Sequence, residues 1–399
     1  MKKIITILLI ALCSTALVAQ NEISSDEIKD KLNLLLEQIN DSANKKEYKK
    51  SEKLCIEGIA FISGLSEEIQ KDLENYNGAF HYNLACVLSL QKKTKAAINA
   101  FEKAIGLNYI NYHHFLKDTD LDNLRKDKRF QKIMDTLREK YDYAFIISKA
   151  GKYQKEDTAG LPKFKYEEAK SFNLPWVKYY FKLDSIAGSG DEISKIINLM
   201  TWVHDNIRHD GSNYPLCEFD AIDIYNYHKS TGKGVNCRML AITLNEFYLA
   251  MGFKSRYVSC LPENIYSQDC HVINCVYSNT LQKWLWMDPT INAYWKDENG
   301  NLLSIEEVRE RYINYLPLVL NDDANWNNEN KNNRAIYLDN WMGELLFIFQ
   351  CNDNSRFNPE SRYRTMNNTL IYLCPAGHPA TSRNAFEVIT HDADYFWER

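Results

Sequence analysis

The chain has 399 residues, of which 45% are hydrophobic and 25% charged, an ordinary globular composition with room for two or three domains. The formal net charge is -5 and no basic block stands out, which argues against nucleic acid and anionic membrane as partners. No phosphate loop or dinucleotide fingerprint is present.

In chain order, Lys2 and Lys3 precede an apolar run from Ile4 to Leu12, and mostly small residues follow to Ala19. This pattern predicts a secretory signal over 1–20, too short to span a bilayer comfortably. Cleavage near Ala19 is preferred over lipidation at Cys13, because Leu12 rather than a small residue precedes that cysteine. The expectation is a periplasmic or secreted protein with no integral membrane span after signal removal. Losing Lys2 and Lys3 leaves 46 basic against 53 acidic residues, a charge of -7. Ten cysteines become nine, and an odd count in an oxidising compartment implies at least one free or intermolecular thiol.

Residues 21–145 read as almost wholly helical, with no proline and few glycines. Ala85, Ala97, Phe101 and Ala104 have the spacing that lets two antiparallel helices approach closely, with Phe101 filling the gap. The pattern resembles a tetratricopeptide repeat. A looser copy has Ser51, Cys55 and Gly58 at the offsets of Ala97, Phe101 and Ala104. The copies are 46 residues apart, longer than the usual period of about 34, so the first helix pair needs extra length. An ordinary amphipathic bundle is the alternative. Either way this region is expected to bind or space rather than to do chemistry.

Gly151, Gly160 and Pro162 among charged residues predict a linker over 146–175. A core at 176–320 follows, opening with a helix over 191–208 that Asp191 can cap. After Gly252 come strands at 255–261, 271–277 and 283–288. Residues 321–334 form an Asn-rich polar loop, and 343–350, 369–374 and 386–390 read as further strands in a β-rich extension over 321–399.

Cys237 opens a helix that runs to Met251, with Gly252 as its stop. Leu240, Leu244, Phe247, Tyr248 and Met251 mark its buried stripe, and Cys237 shares that face. Free N–H groups and partial positive charge at a helix start favour a thiolate and can stabilise an oxyanion. Gly234 allows close approach of chain or substrate. If 271–277 and 283–288 pair about a turn between Asn279 and Thr280, then His271 opposes Asp288, Ile273 opposes Trp286 and Cys275 opposes Trp284. His271 would take the thiol proton and later protonate a leaving amine, while Asp288 orients the ring.

Each residue also has a plainer reading: Cys237 as a buried hydrophobe or disulfide half, His271 as a strand histidine, Asp288 as a turn residue before Pro289. His204 lies on an apolar stripe and reads as a core histidine. His209 and Asp210 sit in a loop or on a substrate-facing rim. Cys217, Cys260, Cys270 and Cys275 with His271 fit no common zinc spacing. Cys260, Cys270, Cys275, Cys351 and Cys374 are the better disulfide candidates.

Cys237, Ala241, His271-Val272, Trp286 and Asp288-Pro289-Thr290 together resemble the transglutaminase-like branch of the papain-like thiol enzymes, over roughly 190–295. The departure is Gly234, which stands three places before Cys237 rather than two. The resemblance implies an α+β fold: a transglutaminase-like, papain-like core with a central helix on an antiparallel sheet, preceded by the all-α repeat region. It implies a Cys237, His271 and Asp288 triad with no cofactor or metal. The expected activity is a cysteine peptidase, amidase or acyltransferase acting on peptide or protein amides, with a protein partner recruited by the repeats. The alternative is a non-catalytic binding module on the same fold.

Overall fold

The structure, a computed structural model, describes residues 24–265, 267–362 and 368–399. The signal segment 1–20, with Cys13, lies outside the described residues. The chain divides into two compact units, Met1–Thr136 and Leu137–Arg399.

The first unit is helical: α1 (Ser25–Asn44), α2 (Tyr48–Ser63), α3 (Glu67–Asp72), α4 (Glu74–Leu90), α5 (Thr94–Gly106) and α6 (Tyr112–Lys117), then α7 (Lys128–Tyr141), within which the units divide. A capping box starts α1, with Glu27 N–H donating to Ser24 Oγ at 3.2 Å and Ser24 N–H to Glu27 Oε2 at 2.9 Å. Helix α2 packs on α1 and α4, and α4 packs on α5. All seven residues of the two spaced sets are buried. A Cβ added at Gly58 would lie 2.5 Å from Phe80, so α2 meets α4 where only hydrogen fits. The short α3 takes up the extra length between the two copies.

The second unit is α+β. Helices α8 (Tyr143–Lys149), α9 (Leu174–Phe181), α10 (Leu183–Ala187), α11 (Glu192–Asn206), α12 (Ala221–Thr231), α13 (Cys237–Ala250), α14 (Ile305–Ile313) and α15 (Ala393–Phe396) surround a sheet. Its strands are β2 (Ser255–Leu261), β3 (His271–Ser278), β4 (Lys283–Met287), β9 (Ile348–Asn352), β11 (Leu370–Leu373) and β12 (Glu387–Thr390), in the order β12-β11-β9-β2-β3-β4. All neighbours are antiparallel except β11 and β12. Two-residue pairs complete the set: β1 (Lys165–Tyr166) with β10 (Asn354–Ser355), β5 (Trp295–Lys296) with β6 (Val319–Leu320), and β7 (Asn325–Trp326) with β8 (Asn330–Lys331).

Both sheet faces are covered. Tyr257, Val272, Val276, Leu285 and Met287 join the core built with α9–α13. Val258, Cys260, Ile273, Cys275, Trp284 and Trp286 join a second core with α8, α14 and the C-terminal residues. Helix α13 lies between the sheet and the other helices, so it is buried from Met239 to Ala250 all round, not along one stripe. Within this buried helix Asn245 donates to Ser355 Oγ at 2.9 Å, and Glu246 accepts from Ala221 N–H and Asn358 N–H at 2.9 and 2.8 Å.

Two expectations change, that of a linker over 146–175 and that of the disulfides. The stretch 146–175 is no free linker: α8 begins it, Lys165 and Tyr166 pair with Asn354 and Ser355, and Tyr395 Oη donates to Pro162 O at 2.6 Å. Its apolar residues Tyr153, Leu161, Phe164 and Tyr166 pack against the second core, a contact that local composition cannot reveal. Strands β9, β11 and β12 extend the sheet that β2, β3 and β4 begin, so 321–399 shares its core. Residues 335–342, unassigned between the predicted loop and the strand at 343–350, form a π-helical turn. Cys260, Cys270, Cys275, Cys351 and Cys374 are all free thiols, as are the four other described cysteines. Cys260 and Cys275 fill the core in place of small apolar residues.

Candidate active site

Asn236 caps α13 by accepting from Met239 N–H at 3.1 Å, which fixes Cys237 as the first helical residue. The first-turn N–H groups of Cys237 and Arg238 therefore have no acceptor within the helix. Cys237 stands at the end of α13 that meets the start of β3, with the His209 and His271 rings and Val272 N–H placed to hydrogen-bond its thiolate. Burial disfavours the charged form, but those three bonds and the charge on His271 outweigh it, and the thiol is brought down to about 5.

His271 Nε2 lies 2.7 Å from Asp288 Oδ2, leaving Nδ1 for the sulfur. Both residues are buried, and burial alone would favour a neutral ring; Asp288 and the Cys237 thiolate reverse this and hold His271 up at about 10. Asp288 is kept ionised below the usual carboxylate range: burial opposes this, and the His271 charge with hydrogen bonds from His271, Tyr337 and Thr290 N–H prevails. The Tyr337 hydroxyl donates to Oδ2 at 2.5 Å and Thr290 N–H to Oδ1 at 2.8 Å. Tyr337 stacks on Trp295 with ring centroids 5.8 Å apart, and Trp341 lies against the His271 ring at 4.7 Å. Tyr337 and Trp341 both come from the π-helical turn, a rare geometry often found at functional sites.

The hairpin register corrects the sequence reading by two residues. Cys275 opposes Trp286 and Tyr277 opposes Trp284, with a four-residue loop from Asn279 to Gln282. The cause lies outside the hairpin. Glu192, opening α11, accepts from Ser278 Oγ, Asn279 N–H and Thr280 N–H at 2.6, 3.0 and 2.8 Å, which sets the loop length. A shift of two preserves the face of every side chain. His271 and Asp288 thus meet as diagonal neighbours, with Asp288 just past the ladder in a bridge to Ala293.

Gly234 acquires a definite role. A Cβ there would lie 2.7–2.9 Å from Asp210 Cβ, Arg208 O and Asp210 N. The glycine lets 208–210 pass beside Val235, bonded by Val235 N–H to Arg208 O at 2.9 Å and Asp210 N–H to Val235 O at 2.7 Å. That approach brings His209 to the sulfur. His209 is the residue that sequence reasoning left in a loop or on a rim, and no motif marks it. His204 is a buried core histidine, bonded through Nδ1 to Pro289 O at 3.1 Å and through Nε2 to the Asn325 side chain at 3.0 Å.

A cavity of about 500 Å³ opens beside Arg238, whose guanidinium contacts Glu360 at 2.9 Å and Ser259 Oγ at 3.1 Å; Gln350 and Asn352 also line it. Among the described residues, no cluster suited to a metal ion occurs.

Residues 181–289, a little over a quarter of the chain, match the family model of the Transglutaminase-like superfamily. This part of the second unit is therefore similar to transglutaminase-like domains. A chloroplastic protein of Arabidopsis thaliana is 32% identical over 124 residues, covering 28% of this chain and 36% of that protein. The chain thus spans about a third of the length of this curated relative. A solved structure described as "a Putative Cysteine Protease" from Cytophaga hutchinsonii is 17% identical and covers 35% of this chain and 43% of its own, with a TM-score of 0.24. That score is too low for the superposition to carry an argument.

Proposed function

We propose that the protein is an exported thiol enzyme acting on peptide or protein amides, with Cys237 as nucleophile, His271 as acid–base and Asp288 as its orienting carboxylate. The observation that carries this reading is the thiolate-favouring environment of Cys237 beside a carboxylate-bound imidazole. Cys237 attacks the amide carbonyl, His271 protonates the departing amine, and water or another amine resolves the thioester. Hydrolysis is favoured over transfer, since no amine-binding feature stands out. The polar cavity beside Arg238 is the natural seat for the substrate's flanking residues. Under the same reading the signal directs the protein to the periplasm or outside the cell, and the helices of the first unit recruit a protein partner. A free Cys237 next to His271 favours an enzyme over a non-catalytic module, which would tolerate that cysteine in a disulfide.

The test is peptide release from a denatured protein substrate and incorporation of a fluorescent amine, each with and without iodoacetamide, in the unaltered protein and in Cys237→Ala. Loss of activity and of the major alkylation site together supports the proposal. Undiminished activity in Cys237→Ala refutes it.

A further inference from the structure

His209 contacts the same sulfur as His271, yet its surroundings are of the opposite kind. Where His271 meets a carboxylate, His209 meets an indole: Trp326 Nε1–H donates to His209 Nδ1 at 3.0 Å. An indole nitrogen can only donate, so Nδ1 is unprotonated and the ring's one proton sits on Nε2. The edge facing Cys237 is therefore a donor, and it cannot take the thiol proton.

The segment carrying this indole is the Asn-rich stretch, which folds as the β7–β8 hairpin and grips residues 204–209 one after another. Asn325 bonds the His204 ring at 3.0 Å, and Asn328 bonds Asp205 at 3.1 Å. Glu329 accepts from Arg208 at 2.6 Å. Asn327 Oδ1 accepts from His209 N–H at 2.8 Å while its Nδ2 donates to His209 O at 3.1 Å. Asn327 and Asn328 take φ of +55 and +58, a region asparagine tolerates better than most residues. Gly234 presses the other side of 208–210 against Val235. Backbone and ring of His209 are thus both fixed.

Resting on the thiol-enzyme reading above, we infer that His209 is a second catalytic histidine, a fixed Nε2–H donor to the oxyanion of the acyl-transfer step, and that Trp326 is its positioning residue. In that step Cys237 Sγ bonds to the carbonyl carbon and the carbonyl π pair moves to oxygen. The negative charge leaves the sulfur for an oxygen on the adjacent carbon, within reach of the same Nε2–H and of the first-turn N–H groups of α13. Collapse of the intermediate restores the carbonyl and expels the amine, which takes its proton from His271. The two histidines divide the work: His271 moves a proton, and His209 holds one.

The experiment compares two reactions of Cys237 in the full chain. Alkylation by iodoacetamide at pH 8 needs the thiolate but forms no oxyanion. The p-nitrophenolate burst from p-nitrophenyl acetate needs both, and its leaving group departs without a proton. In His209→Ala the burst rate is expected to fall on the order of 10²-fold, with alkylation falling less than tenfold. His209→Gln, whose amide N–H reaches near the Nε2 position, should recover at least tenfold of the burst. Trp326→Phe should lower the burst severalfold more than alkylation. Circular dichroism checks that each variant is folded. A parallel fall of burst and alkylation in His209→Ala, or no rescue by His209→Gln, overturns the inference while leaving Cys237 as nucleophile. An unaltered protein that alkylates at Cys237 but gives no burst overturns the acyl-transfer reading itself.

Discussion

Cys237 becomes a thiolate because three hydrogen bonds and one neighbouring charge exceed the cost of its burial. The consequence is a pH dependence unlike that of an ordinary thiol. Alkylation should rise through about pH 5 and be flat at neutrality, whereas a free cysteine gains reactivity only near its ordinary value of about 8.5. Under the proposed mechanism acyl transfer also needs a protonated His271, so its rate should fall again as that ring loses its proton near pH 10. A rate–pH profile with a single limb above pH 8 would contradict this pairing. Asp288→Asn removes the charge that keeps His271 protonated, so the acid limb of alkylation should move to higher pH. Acyl transfer at pH 7 should fall on the order of 10²- to 10⁴-fold. Stopped-flow burst kinetics on the two proteins measure that loss.

At the scale of elements, Gly58 and Gly106 make opposite cases. Gly58 sits where α2 touches Phe80, and the added methyl of Gly58→Ala would have to displace a buried ring. The cost should be about 1–3 kcal/mol from overpacking, only partly offset by alanine's better helix propensity of about 1 kcal/mol. Gly106 ends α5 with nothing within 4 Å of an added Cβ, so Gly106→Ala should stabilise by up to about 1 kcal/mol. Thermal unfolding followed at 222 nm should place the two variants on opposite sides of the unaltered protein. Helix α13 and strands β2, β3 and β4 were legible because period and caps are local signals. The β7–β8 hairpin was not, because its asparagines pair with 204–209, more than a hundred residues away in the chain. The π-helical turn was equally hidden, since its eight residues carry no periodic signal and Tyr337 finds its partner only in Asp288, 49 residues earlier in the chain.

Across the second unit, the last residues complete the sheet's interior. Arg256 on β2 is buried with its guanidinium against the Phe164 and Trp284 rings, at 4.1 and 4.7 Å. Its acceptors are Phe396 O at 2.8 Å and Glu398 O at 3.2 Å. Trp284 Nε1–H donates to Trp397 O at 2.8 Å. Deleting 393–399 would strip a buried cation of both carbonyls and should cost on the order of 3–5 kcal/mol. Arg256→Met, which removes the charge along with its need for partners, should cost less. Urea midpoints by tryptophan fluorescence rank the two, and a deletion no worse than Arg256→Met would show that the carbonyls do not matter. Among the described residues, no helix is long and apolar enough to cross a membrane.

The sequence by itself determined the helical first unit, the helix beginning at Cys237, the strand that starts at His271 and the strand that leads to Asp288, and the face those two residues share. Helical periodicity, capping and strand alternation act over a few residues, and the two-residue slip in register left the alternation intact. Tertiary structure alone decided the loop length that Glu192 imposes, the Tyr337 bond to Asp288, the close approach at Gly234 and the arrival of His209 at the sulfur. Each of these joins groups far apart in the chain, where only packing sets which side chain meets which.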